Sequence, residues 1–92
     1  MKRDLGIVPS AEKEIAALPA RFKNSVRKAI NDLAFQADVT TKHRYALKGS
    51  LVPHWQAEAG AYRIYYVFDA VAVVVRAVRL KGNKRTEEVF KP

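Results

Sequence analysis

The second half of the chain constrains the fold most, because it consists almost entirely of residues that favour β-strands. Candidate strands run from His54 to Ala59, from Ala61 to Asp69 and from Val71 to Leu80. The last of these contains five valines, which are β-branched and pack well on a pleated surface. The short connections between these segments predict a three-stranded antiparallel meander.

The central candidate strand has one apolar face. Successive side chains of a strand point to opposite faces of the sheet. One face of this strand carries Tyr62, Ile64, Tyr66 and Phe68, and the other carries Arg63, Tyr65, Val67 and Asp69. We expect the first set to face the core. Arg63 then lies on the opposite face, where its charge either reaches solvent or meets an anion.

The first half of the chain is predicted to hold one short strand and two helices. Leu5 and Ile7 suit a strand that Pro9 ends. Ser10 is interpreted as the N-cap of a helix that ends before Pro19. A second helix is indicated by apolar residues at helical spacing, namely Phe22, Val26, Ala29, Ile30, Leu33 and Ala34.

The order of these elements predicts the fold class. A strand and two helices are followed by a bend from Tyr45 to Gly49 and then by the meander, which is typical of an α+β fold with a helix hairpin packed on a small, mainly antiparallel sheet. A chain of 92 residues cannot divide its core. We therefore predict a single domain covering residues 1–92.

The composition excludes several classes of function. The chain has no cysteine, which removes disulfides, thiol nucleophiles and zinc–thiolate sites. The spacing of its glycines and histidines supports neither a nucleotide cofactor nor a metal site. It has no signal-peptide pattern and no apolar run near the ~20 residues that span a bilayer, so we expect a cytoplasmic protein with no membrane partner.

The charge balance favours a polyanionic or acidic partner. Lysine and arginine number 17 against nine acidic residues, which gives a net charge of +8. The densest positive cluster follows the valine-rich strand and consists of Arg79, Lys81, Lys84 and Arg85. This cluster is either a solvated loop or a set of binding groups held by the rigid sheet.

One register of the meander brings cations and aromatic rings together on the outward face. The candidates are Arg63, Tyr65, Arg76 or Arg79, and His54 or Gln56. Cations next to aromatic rings on a sheet suit single-stranded RNA, which needs charge for its phosphates and planes for its bases. His54 is a candidate proton-transfer group, with packing or surface roles as the alternative. His43 is interpreted as a surface residue.

Several segments together resemble the RelE/ParE toxin superfamily of type II toxin–antitoxin systems, and in particular its RelE-like members. They are Leu47-Lys48-Gly49, Trp55, the run Gly60-Ala61-Tyr62-Arg63-Ile64-Tyr65-Tyr66-Val67, the valine-rich strand and the basic tail that ends Lys84-Arg85-Thr86-Glu87-Glu88-Val89-Phe90. The resemblance covers nearly the whole chain. It implies two N-terminal helices on a twisted antiparallel sheet, an antitoxin partner and no cofactor.

The resemblance also implies a reaction. RelE-like members cleave mRNA in the ribosomal A site without metal, using the 2′-hydroxyl as nucleophile, which requires a base, an acid and positive charge at the phosphate. The resemblance therefore implies Arg63, Lys84 and His54 as catalytic residues, with Lys81 as the alternative to Lys84. The predicted substrate-binding residues are Lys48, Arg79, Lys81, Arg85 and Phe90, and the predicted partners are a cognate antitoxin and mRNA on the ribosome.

The chain departs from the nuclease pattern at several positions. Phe90 stands where nucleases of this family often have a tyrosine, and a phenyl ring can stack on a base but cannot transfer a proton. His54 and Gln56 replace two lysines, and Glu58 replaces a cation. Two alternatives follow: a ParE-like inhibitor that binds DNA gyrase, and a relative that binds its antitoxin without chemistry.

Overall fold

The computed structural model of the chain describes residues 2–49 and 52–91. In chain order the elements are β1 (Asp4–Ile7), α1 (Pro9–Ala16), α2 (Ala20–Gln36), β2 (Arg44–Ala46), β3 (Trp55–Ala59), β4 (Tyr62–Phe68), β5 (Ala72–Leu80) and α3 (Thr86–Val89). The strands form one sheet in the order β1-β5-β4-β3-β2. Among the strand pairs of the described residues, the β1–β5 pair is parallel and the other three are antiparallel. The predicted α+β class, with a helix hairpin on a mainly antiparallel sheet, is confirmed.

A proline stands at the start of each N-terminal helix. Pro9 occupies the first turn of α1 and Val8 is its N-cap, so the prediction that Ser10 caps this helix is wrong. Proline suits the first helical position because its missing N–H would have no partner there. Pro19 separates the helices and is the N-cap residue of α2.

The main core lies between these helices and one face of the sheet. The helices contribute buried residues such as Ile15 and Leu33, and the strands contribute Ile64, Tyr66 and Val75. The Tyr66 hydroxyl donates a hydrogen bond of 2.7 Å to the carbonyl of Ala37, just past the end of α2. Burial raises the pKa of this phenol above its usual value. The predicted core face of β4 is thereby confirmed.

The turn between β4 and β5 contains no glycine and is built around Asp69. Its Oδ1 accepts hydrogen bonds from the backbone N–H groups of Val71 (2.8 Å) and Ala72 (2.9 Å). These two bonds lower the pKa of the Asp69 carboxyl. A carboxylate thus closes the turn where a glycine would otherwise be expected.

The predicted bend from Tyr45 to Gly49 is partly wrong, because β2 covers Arg44–Ala46 and adds a fourth antiparallel strand to the predicted three. The guanidinium of Arg44 attaches this short strand to the C-terminal end of α2. It donates to the backbone carbonyls of Gln36 (3.1 Å) and Val39 (3.2 Å). Within the described ranges, no helix is long and apolar enough to span a membrane.

Candidate functional site

The face of the sheet opposite α1 and α2, here called the outer face, carries two adjacent rows of side chains. The covered row consists of Tyr45, Gln56, Tyr65 and Ala77, which are paired in register across β2, β3, β4 and β5. The charged row is offset from the covered row by two residues on each strand. It consists of His43, Glu58, Arg63 and Arg79. In this row Glu58 pairs with Arg63, Arg63 pairs with Arg79, and His43 precedes β2.

The covered row is packed beneath α3 and the residue that follows it. The ring of Phe90 stacks on the ring of Tyr65, with 4.4 Å between centroids and an angle of 10° between planes. The side-chain amide of Gln56 donates to the Tyr45 hydroxyl at 2.7 Å and accepts from the Thr86 hydroxyl at 3.2 Å. This row is therefore a second, smaller core.

The hydroxyl of Tyr65 is buried and has no hydrogen-bond partner among residues 2–49 and 52–91. Burial raises the pKa of Tyr65 to about 12, an effect that outweighs the opposing influence of the Arg63 charge. At neutral pH this phenol keeps its proton. It is therefore a packing residue in this arrangement rather than a group poised for proton transfer.

Two of the predicted site residues, His54 and Phe90, lie in this covered region. His54 is 5% exposed, and its Nδ1 lies 2.8 Å from the carbonyl oxygen of Val52. The centroids of the His54 and Phe90 rings are 5.6 Å apart. Phe90 is 8% exposed. The structure brings these two side chains together in a packed environment.

Arg63 is held rigidly in the charged row. One of its terminal nitrogens donates to the carbonyls of Gly60 (2.8 Å) and Tyr62 (3.0 Å), and the other lies 3.6 Å from Oε1 of Glu58. Its Nε–H has no partner among the described residues. The outward position predicted from the alternation of β4 is confirmed, and the guanidinium is anchored by the β3–β4 turn instead of hanging in solvent.

Arg79 joins the charged row to the C-terminal tail. Its Nε donates to Oε2 of Glu14 at 3.0 Å, and its Nη1 donates to the carbonyl of Val89 at 2.7 Å. The guanidinium carbon lies 5.6 Å from the centroid of the Phe90 ring. One arginine thereby connects α1, β5 and the segment that covers the other row.

His43 and Glu58 form a contact that sequence reasoning missed. Nδ1 of His43 lies 3.1 Å from Oε1 of Glu58, and the imidazole is 61% exposed while the carboxylate is 25% exposed. The contact depends on β2, whose pairing of Arg44 with Ala57 brings the preceding residue next to Glu58. The sequence signal that could have indicated this contact is Glu58, an acidic residue within β3 that pairs with Arg63 of β4.

The remaining predicted residues lie on two sides of α3. Lys81 follows β5 beside the β3–β4 turn, where its N–H donates to the carbonyl of Ala61 at 3.1 Å, while Lys84 and Arg85 are exposed in the loop before α3. Lys48 is on the other side of α3. It lines a groove of about 240 Å³ together with Leu47, Thr86, Glu87 and Phe90.

The described residues contain no group of three or more histidine, aspartate or glutamate side chains placed to hold a metal ion. The outer face carries a carboxylate, an imidazole and several cations. These groups can bind a phosphate and move a proton.

Several solved structures share this architecture. The toxin of the RelE–RelB complex from Pyrococcus horikoshii superposes with a TM-score of 0.75 at 17% identity, covering 90% of this chain and 99% of that one. The RelBE2 complex from Mycobacterium tuberculosis gives a TM-score of 0.74 at 23% identity and covers 87% and 99%. The DinJ–YafQ complex from Escherichia coli gives 0.71 at 14% identity and covers 88% and 94%.

The chain has the fold of the RelE-type toxins. This confirms the fold that the sequence resemblance implied. No protein-family model and no curated protein matches the chain. The likeness is therefore one of structure, at sequence identities of 14–23%.

Proposed function

We propose that the chain is the toxin of a type II toxin–antitoxin system and that it stops translation by cleaving ribosome-bound mRNA. The shared fold supports the toxin role, because several of the structures that superpose on the chain come from RelE–RelB, RelBE2 and DinJ–YafQ complexes. The charged row of the outer face supports the reaction. The two supports are independent, since the first concerns the backbone and the second the side chains.

The observation that supports the cleavage proposal most strongly is the pairing of Arg63 with Arg79. The two arginines lie directly opposite each other on the neighbouring strands β4 and β5. Like charges in opposite positions destabilise a sheet, and the cost is offset when an anion lies between or above them. Each guanidinium has one carboxylate nearby, Glu58 and Glu14 respectively. The next basic residue, Lys81, lies beside the same turn, so the surface retains a positive surplus for a phosphodiester.

The geometry suggests a division of roles among the predicted residues. Arg63 stabilises the charge that develops on the phosphate, because its guanidinium is anchored beside the β3–β4 turn. Lys84 and Arg85, exposed in the adjoining loop, bind the flanking backbone. Lys48 and the edge of Phe90 offer a cation and a ring in one groove, which suits a nucleobase next to its phosphate.

His54 can transfer a proton only if its buried ring becomes accessible to the substrate. Its ring is buried and packs near Phe90. For His54 to reach a 2′-hydroxyl, the segment that carries Phe90 would have to move away from the sheet. Such a movement would also break the bond between Arg79 and the carbonyl of Val89.

The antitoxin is proposed to be acidic where it contacts this protein. A net charge of +8 attracts a negatively charged segment and raises its association rate, while apolar contacts determine how long it stays. Raising the salt concentration should therefore slow association more than it speeds dissociation. Stopped-flow binding to the product of the adjacent reading frame at several salt concentrations measures both rates.

A single set of assays tests the toxin and its reaction. The protein, expressed alone, should arrest growth, and co-expression of the adjacent reading frame should restore growth. In a reconstituted translation system, mapping of mRNA 5′ ends should show cleavage that requires ribosomes. Inhibition of supercoiling without mRNA cleavage would replace this proposal with gyrase inhibition, and harmless expression without a binding partner would overturn the toxin role.

A further inference from the structure

The contact between His43 and Glu58 has the form of a carboxylate-supported general base. A carboxylate that accepts the Nδ1 proton of a neutral imidazole leaves the Nε2 lone pair available to take a proton. The Nδ1–Oε1 distance of 3.1 Å is a hydrogen bond, and the ring is 61% exposed. A polymeric substrate on the outer face can therefore reach the imidazole.

Two backbone contacts hold the pair in place. The N–H of Glu58 donates to the carbonyl of His43 at 2.9 Å, so the residue before β2 is attached to β3. The N–H of His43 donates to Oγ1 of Thr41 at 3.0 Å. The sheet thus fixes the backbone of His43, and the contact with Glu58 orients its ring, as proton transfer requires.

Glu58 also places the imidazole next to the proposed phosphate site. Its Oε1 contacts Nδ1 of His43 and lies 3.6 Å from Nη2 of Arg63. One carboxylate oxygen therefore separates the imidazole from the guanidinium. A ribose 2′-hydroxyl and the adjacent phosphate are separated by a similarly short span, so one nucleotide can meet both groups.

We propose that His43 is the general base of the cleavage reaction and that Glu58 is its positioning residue. The inference rests on the proposed function and names the group that activates the nucleophile. Nε2 of His43 takes the proton of the 2′-hydroxyl, and the 2′-oxygen forms a bond to phosphorus as the bond from phosphorus to the 5′-oxygen breaks. The leaving oxygen takes a proton from solvent and the imidazolium returns one, which leaves a 2′,3′-cyclic phosphate and a 5′-hydroxyl.

The two histidines of the chain make the assignment testable. His54 is 5% exposed beneath Phe90, whereas His43 is open to solvent and has a carboxylate partner. The charged groups that face His43 are Glu58 and, beyond it, Arg63. Lys42 precedes His43 in the same exposed turn and provides a matched control.

The test is single-turnover cleavage of a short mRNA on purified ribosomes at saturating protein. We expect His43→Ala to slow cleavage by about 10²- to 10⁴-fold, as the loss of a general base does. Glu58→Gln should slow it less, because the imidazole remains. Lys42→Ala should cleave at the rate of the parent. Circular dichroism and thermal unfolding of each variant check that the fold is retained.

Two further measurements separate a base from a structural residue. Added imidazole should restore part of the rate of His43→Ala and none of the rate of Arg63→Ala. An mRNA with sulfur in place of the scissile 5′-oxygen has a leaving group that needs no acid, so the defect of His43→Ala should persist on it. Full activity of His43→Ala, a loss that imidazole does not rescue, or a defect that the sulfur substrate abolishes would each overturn the assignment.

The parent protein keeps the two proposals distinguishable. If the parent cleaves mRNA and His43→Ala does too, the general-base assignment fails while the proposed function stands. A large loss in His54→Ala combined with a normal rate in His43→Ala would transfer the role to the buried histidine. If the parent does not cleave, the proposed function fails, and the assignment fails with it.

Discussion

The covered row and the charged row share one face of one sheet, yet they differ in almost every physical property. Tyr65 in the covered row is fully buried and stacked under Phe90, whereas Arg63, two residues before it in the same strand, reaches the surface through a network of carbonyls and a carboxylate. The difference comes from α3 and Phe90, which pack on the covered row. The alternation of side chains along a strand predicts which face of the sheet each residue lies on. The segment that packs on that face determines which of these residues are buried.

The largest effect is expected from removing the ring that covers the first row. Phe90→Ala deletes a buried aromatic ring that stacks on Tyr65 and lies near His54. Replacing a buried phenylalanine by alanine typically costs about 3 to 5 kcal/mol. Urea unfolding should therefore show a loss of this size in the free energy of unfolding.

Phe35→Ala is the matched control for this prediction. Phe35 lies on α2 and is 59% exposed, so the same change in chemistry should alter stability by no more than about 0.5 kcal/mol. If Phe90→Ala were as mild as Phe35→Ala, the tail would not be packed on the sheet. The distinction between a covered and a charged row would then be lost.

A large effect on activity, without a large effect on stability, is expected in the charged row. Arg63→Ala removes the anchored guanidinium proposed to stabilise the charged transition state, and the loss of one such donor costs about 10²- to 10³-fold in rate. Of the two carbonyls that lose a donor, that of Gly60 lies at an exposed turn, where water can replace the guanidinium, and that of Tyr62 is partly buried. Growth inhibition and ribosome-dependent cleavage should fall while the unfolding midpoint stays close to that of the parent.

Arg21→Ala provides the control for loss of charge alone. Arg21 is exposed on α2, in the helix layer on the other side of the sheet. Arg21→Ala lowers the net charge by the same amount as Arg63→Ala and should leave cleavage nearly unchanged. Equal losses in both variants would mean that overall charge, and not the charged row, supports the activity.

Much of the fold follows from local patterns in the sequence. The period of two in β4 separates Ile64 and Tyr66 from Arg63, and helical spacing identifies the buried face of α2. The residues between Asp69 and Ala72 are harder to predict, because the turn is stabilised by a side-chain carboxylate that no glycine pattern reveals.

The site could be predicted only in part, because its contacts join distant segments. The short strand β2 has only three residues and lies close to Gly49, so local propensity does not identify it, and without β2 the contact between His43 and Glu58 cannot be anticipated. The burial of His54 depends in turn on Phe90, which is distant in sequence. The register between strands and the burial of a residue by a distant segment are tertiary properties. The alternation of side chains along a single strand does not predict them.

The smallest effect is expected from removing a single oxygen atom in the covered row. Tyr65→Phe deletes a buried hydroxyl that has no hydrogen-bond partner among the described residues, and it keeps the ring that stacks on Phe90. An unsatisfied buried polar group costs about 1 to 3 kcal/mol, so its removal should leave the protein as stable as the parent or about 1 kcal/mol more stable. Cleavage should be unchanged, because the group lies outside the charged row.

The same substitution should change how stability depends on alkaline pH. The pKa of Tyr65 is raised to about 12 in the folded state, above the value of about 10 of an unfolded tyrosine. The folded state therefore holds this proton over a range in which the unfolded state has lost it, so stability is complete below about pH 10 and falls as the pH rises toward the folded value. Tyr65→Phe should reduce this fall, and Tyr66, whose pKa is also raised by burial, should maintain the remainder.

Urea unfolding of parent and variant at neutral pH and at several alkaline values gives the comparison. An unchanged alkaline slope would show that the Tyr65 hydroxyl is hydrated, and the covered row would then be open to water at its centre.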